Sequence, residues 1–166
     1  MSELEWDSFK VRIDVNASLS NIYNCWTTRQ GLERWFLRVA EFRNPEDIIL
    51  LPEESVAVGY TYKWLWYGWP DDTVEYGKIL AMNGENFLKF SFGKAGDCSV
   101  HIIYEEGQTV VELIQENIPT DEPGKLDYHV GCKTGWSFYL ANLKSVLEGG
   151  IDLRNRNEEL LNVVNS

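Results

Sequence analysis

The residues of this chain that could carry chemistry are few and scattered, whereas its aromatic side chains are many. Two histidines, His101 and His129, are too few for an obvious zinc site, and no carboxylate cluster has metal-ligand spacing. Asp71-Asp72 and Glu53-Glu54 are paired acids, the first explained by turn chemistry and the second by solvated charge. No serine sits in a nucleophile-elbow context and no glycine pattern builds a phosphate loop, so neither a cofactor nor a metal is implied. Cys25, Cys98 and Cys132 form an odd, widely spaced set, better suited to free thiols in a reducing compartment than to a disulfide framework. Seven Trp, eight Tyr and seven Phe are a different matter. Their rings are apolar, but the tips of Trp and Tyr need hydrogen-bond partners when buried. Such a set favours recognition of an apolar or aromatic molecule over bond making.

The elements that must position these rings follow from periodicity. Trp136, Leu140, Leu143 and Leu147 recur at helical spacing and define one stripe of a long helix, with Ser137, Asn142, Lys144 and Glu148 off it. Upstream, Phe9, Val11, Ile13 and Val15 alternate with polar residues as in a half-buried strand. Ser18 offers an N-cap to a short helix over about 19–28, and a second turn follows with Leu32, Trp35 and Phe36. Ile48-Ile49-Leu50-Leu51 reads as a short strand. Four further strands have inward faces Tyr60, Tyr62, Trp64, Trp66; Leu88, Phe90, Phe92; Val100, Ile102, Tyr104; and Val111, Leu113, Gln115. A strand from about Val74 to Met82 lies among them, and Asn83-Gly84-Glu85 is a hairpin-type turn. Strands in an antiparallel meander followed by one long helix predict an α+β fold in which the sheet grips the helix.

At 166 residues the chain suits one domain, 1–150, with a tail at 151–166 in which Leu160, Leu161, Val163 and Val164 have the spacing of a short amphipathic helix. The formal net charge of −11 argues against nucleic acid or an anionic membrane as partner. The acidic N-terminus lacks an apolar leader, no apolar run reaches membrane-spanning length, and a cytoplasmic location is the simplest expectation.

With the elements placed, their motifs resemble those of a known family. Ala17-Ser18, Ile22-Tyr23, Trp26-Thr27 and Gly31-Leu32-Glu33-Arg34-Trp35-Phe36 are similar to its helical opening. Gly59-Tyr60, Gly77-Lys78-Ile79, Leu88-x-Phe90-Ser91-Phe92 and Thr109-Val110-Val111-Glu112-Leu113 resemble its strands. Gly135-Trp136, Leu140, Leu143 and Leu147-Glu148-Gly149 resemble its closing helix. The chain is thereby identified as a member of the activator-of-Hsp90-ATPase-homologue (AHSA1-like) branch of the START/Bet v 1-like SRPBCC superfamily. The resemblance implies a helix-grip fold, with a curved antiparallel sheet of six or seven strands around a long C-terminal helix and two short helices near the N-terminus. It also implies an internal cavity for apolar molecules.

The residues expected to line that cavity are Trp26, Tyr60, Tyr62, Trp64, Trp66, Phe90, Phe92, Tyr104, Val111, Leu113, Gln115, His129, Trp136 and Leu140. For the aliphatic members plain core packing explains the pattern equally well. His129 lies seven residues before Trp136, on the same stripe if the helix reaches back that far; a hydrogen-bonded histidine at the helix start is the plainer reading. The favoured function is non-catalytic binding of an apolar or aromatic small molecule. One alternative is an aromatase/cyclase-like enzyme using Tyr62, Tyr104, Gln115 and His129. Another is a protein-binding module resembling the Hsp90 activator domain. The turn Leu65-Trp66-Tyr67-Gly68-Trp69-Pro70 carries apolar groups on both faces, which fits either a strand covered by the tail or a homodimer or partner surface at Trp66–Trp69 or the tail.

Overall fold

A computed structural model describes residues 5–164. Seven strands form one antiparallel sheet in the order β1-β7-β6-β5-β4-β3-β2: β1 (Phe9–Asp14), β2 (Val39–Arg43), β3 (Thr61–Leu65), β4 (Glu75–Met82), β5 (Phe87–Ser91), β6 (Asp97–Glu105) and β7 (Gln108–Glu116). Two short helices, α1 (Leu19–Thr27) and α2 (Arg29–Glu33), bridge β1 and β2. A π-helical segment, Gly124–Val130, leads directly into the long helix α3 (Gly131–Leu147), which packs against β1.

Local chemistry accounts for these boundaries. The Ser18 hydroxyl accepts from the Asn21 N–H and starts α1. Thr28 ends that helix and caps the next, donating to the Asn24 carbonyl at 3.1 Å and accepting from the Gly31 N–H at 2.9 Å. A Cβ on Gly31 would collide with the backbone of Asn24 and Cys25, so the tight α1–α2 corner requires glycine there. The β4–β5 hairpin closes through the Asn83 side chain, which accepts from the N–H groups of Glu85, Asn86 and Phe87.

Three expectations need correction. Residues 48–51 are not a strand; Ile49 makes only an isolated bridge to Arg43, and the strand in this region is β2. Four apolar residues in a row carry no period-two signal, whereas Val39-Ala40-Glu41-Phe42-Arg43 alternates but has a small Ala as one of its two buried positions. Asn142, placed off the apolar stripe, is fully buried. Its amide donates to the Trp35 carbonyl at 2.8 Å and to Asp152, and its oxygen accepts from the Leu153 N–H at 2.7 Å. The helix is therefore enclosed on that side too. Finally, residues 151–164 contain no helix. The tail docks instead, through Arg154, whose guanidinium donates to the carbonyls of Leu37 and Glu33 and pairs with Asp152. Arg154 and Arg156 lie over the Tyr67 ring at 5.2 and 4.9 Å, so the tail covers part of the two-faced aromatic turn.

Candidate functional site

At one end of the sheet, where β3 and β5 finish and β4 begins, a cleft of about 870 Å³ opens between the strands and the N-terminal half of α3. Trp66, Trp69, Thr73 and Glu75 form one wall, from the β3–β4 connection. Phe92 and the 3-10 turn Gly93–Ala95 form the floor. The π-helical segment and α3 close the other side with Leu126, Tyr128, Val130, Cys132, Trp136 and Tyr139, and Phe36 completes the apolar surface.

The rings that line it hold one another in place. Trp136 lies 4.8 Å from Phe36 and 5.8 Å from Phe92, and Phe36 meets Trp66 and Tyr139 edge-on at 5.8 and 4.9 Å. Edge-to-face pairs at these separations add to the stabilisation from burial. Gln115, fully buried on β7, accepts from the Trp136 indole N–H at 2.9 Å and donates to the Ala95 carbonyl at 3.0 Å. One side chain thus fixes both the helix wall and the floor. The Trp66–Asp71 turn is tied by Arg38, which donates to the Trp66 carbonyl and pairs with Asp71. The Asp71-Asp72 pair therefore does contain a structural acid.

Of the charged side chains around the cleft, Lys94 and Asp127 are exposed and Glu75 is half-buried. Burial raises the Glu75 carboxyl above its ordinary range, offset in part by the Tyr76 N–H, and among the described residues no cation pairs with it. A Cβ on Gly93 would collide with this carboxylate, and Gly93 has φ +55°, so the carboxylate's position depends on glycine twice over. The Cys132 thiol is also raised, mainly by burial and further by Glu75, which leaves it a poor nucleophile.

The structure brings Trp66, Phe92 and Trp136 to the cleft. Tyr62, Trp64 and Phe90 are buried outside its lining, with Tyr62 and Trp64 stacked at 3.7 Å and the Tyr62 hydroxyl donating to the Ser91 carbonyl. Trp26, Val111, Leu113 and Leu140 are core, Gln115 supports rather than lines, and Tyr60 precedes β3 at the end remote from the cleft. Tyr104 does not face inward: it lies 77% exposed near the end of β6, past the reach of the core. His129 is buried elsewhere, its Nδ1 3.0 Å from the Trp6 carbonyl and its ring between Trp6 and Phe9. The π segment changes the residue angle upstream of Gly131, so seven-residue spacing no longer puts His129 over Trp136. Glu75, Trp69 and Cys132 were not anticipated at the site. The aromatic turn was the available signal for Trp69; nothing in the pattern marked a strand-opening glutamate.

Residues 16–148 match the sequence family described as Activator of Hsp90 ATPase homolog 1-like protein. The chain belongs to this family. The fold agrees with solved structures. A Staphylococcus saprophyticus protein is 16% identical, with 89% of this chain and 96% of that one covered and a TM-score of 0.67. The Aha1 dimer from Colwellia psychrerythraea, a solution structure, is 21% identical, with 86% and 97% covered and a TM-score of 0.64. The AHSA1-like protein from Aeromonas hydrophila is 13% identical, with 86% and 92% covered and a TM-score of 0.59. At these identities the likeness concerns the fold of the family domain. No curated protein matches the sequence. Among the described residues of this family member, no helix is long and apolar enough to cross a membrane, and no group of His, Cys, Asp or Glu could hold a metal ion.

Proposed function

We propose that this member of the family is a small cytoplasmic, non-catalytic binding protein for an apolar or aromatic small molecule, held between the sheet and α3. The observation that carries this reading is the ring-lined cleft of about 870 Å³. Its size falls within the range of about 300–1,000 Å³ found for small-molecule pockets, and its apolar walls with a few polar groups have the composition of such pockets. None of Tyr62, Tyr104, Gln115 and His129, the polar groups such a reaction would use, is among the residues that line the cleft, which favours binding over an aromatase/cyclase-like reaction.

The test is a fluorescence titration with the neutral, environment-sensitive probe N-phenyl-1-naphthylamine. One probe should bind per chain and quench tryptophan emission. Thr134→Trp, which fills the cleft from an exposed helix position, should weaken binding at least about tenfold, while Lys89→Ala on a strand outside the lining should leave it unchanged. Equal behaviour of the two variants would refute the reading.

A second reading, docking of a protein surface or a second copy of the chain, is favoured by Trp69, Leu126 and Val130, which stand exposed around the cleft. The Colwellia relative is itself a dimer. The Trp66–Trp69 turn and the tail are the surfaces offered. Sedimentation that shows a dimer loosened by Trp69→Ser would support this reading, and a monomer at all accessible concentrations would exclude self-association.

A further inference from the structure

Glu75 introduces a chemistry that an apolar cleft does not need. Its carboxylate is half-buried in the wall, against the backbone of Gly93, and no described cation neutralises it. A desolvated carboxylate of this kind is costly unless it is paired. The other two charged lining residues, Lys94 and Asp127, are exposed, so their charges are screened by solvent and cancel one another in sign. Among the described residues Lys94 forms no ion pair, although Glu75 lines the same cleft. Trp66, Phe92 and Trp136 line the same cleft as Glu75, and their π faces attract cations while their hydrocarbon bodies exclude water.

We propose that the cleft selects cationic ligands, aryl or alkyl ammonium compounds whose charged nitrogen pairs with Glu75 among the rings of Trp66, Phe92 and Trp136 while the apolar remainder lies along α3. This rests on the reading of the cleft as a small-molecule site and names the ligand class. A carboxylate and aromatic faces together offer an ammonium both a full and a partial negative charge at low dielectric. A neutral ligand would leave the half-buried Glu75 without a counter-ion. An anionic ligand would add a second negative charge beside it, with only the solvated Lys94 to compensate. The upward displacement of the Glu75 carboxyl agrees with an unneutralised site, and Tyr62 and Cys132, the titratable groups that sense its charge, are themselves raised and stay neutral. The net charge of −11 further favours the approach of a cation over that of an anion.

Three probes with one ring system test this: 1-naphthylmethyl-trimethylammonium, 1-naphthylmethanol and 1-naphthoate, titrated calorimetrically at about 0.15 M salt. The ammonium should bind at least about tenfold more tightly than the alcohol, and the carboxylate least well. Glu75→Gln should abolish the ammonium's advantage and leave the alcohol's Kd within about twofold. Glu75→Asp, which keeps the charge but withdraws it by one methylene, should retain part of the advantage. Lys94→Met should leave ammonium binding equal or tighter. Alcohol and ammonium binding equally, or a preference that survives Glu75→Gln, would overturn the cation proposal while the small-molecule reading stands. Failure of all three probes to bind would remove both.

Discussion

Glu75 and Trp136 occupy opposite walls of the cleft and should answer to mutation in opposite ways. The folded-state pKa of Glu75 is raised above an unfolded value of about 4.3, so its contribution to stability is fully present below that value and is lost as pH rises through the folded pKa. Glu75→Gln should therefore raise the melting temperature at pH 7, with the difference shrinking toward pH 3.5. A variant that melts lower at pH 7 would mean the carboxylate is compensated in the free protein. Trp136 touches rings on α1, the α2–β2 connection and β5, and its indole N–H is satisfied by Gln115. Trp136→Ala should cost about 3–5 kcal/mol in chemical denaturation, and a loss near 0.5 kcal/mol would show that the helix is not gripped. Trp136 was legible from helical spacing alone. Glu75 was not, because its role arises from burial against Gly93, and a strand-opening acid has the sequence pattern of ordinary solvated charge.

At the scale of elements, the docked tail is the part most open to test. Burial alone would raise the Asp152 carboxyl, but hydrogen bonds from Arg154, Arg156, the Arg154 backbone and Asn142 outweigh it and hold the group well below the usual range. A depressed folded pKa contributes stability that is present above the unfolded value of about 3.9 and disappears as pH falls through the folded one. Proteolysis of the tail should accordingly rise in acid below about pH 4, while the sheet persists. Arg154→Ala removes one of the two cations on Asp152, Arg156 remaining, and deprives the Leu37 and Glu33 carbonyls of their donor, so it should cost about 2 kcal/mol. A neutral effect would show the tail to be peripheral. Strands β5 and β7 were readable because their alternation matches one buried face, whereas β4, with Ile79 its only buried residue, was placed by the turns that flank it. Asn142 was not, since its burial depends on Asp152 and Leu153, ten and eleven residues away. The π segment also escaped notice: its effect is a change of angle per residue, which shifts His129 without altering any apolar spacing.

For the molecule as a whole, the acidic surface and the ring-lined cleft set the choice of partner. The balance of −11 predicts no measurable binding to duplex DNA or anionic vesicles at physiological salt, and micromolar binding that weakens steeply with salt would contradict it. The seven tryptophans also supply a built-in map of where a ligand sits. Trp66, Trp69 and Trp136 line the cleft, Trp26, Trp35 and Trp64 are buried in the core, and Trp6 stands beside His129. The decisive measurement is a nitrogen-15 NMR titration of the seven indole N–H resonances with 1-naphthylmethyl-trimethylammonium. Binding in the cleft predicts saturable shifts at Trp66, Trp69 and Trp136 with Trp6 unmoved; shifts confined to Trp6, or none at saturating probe, would contradict the account.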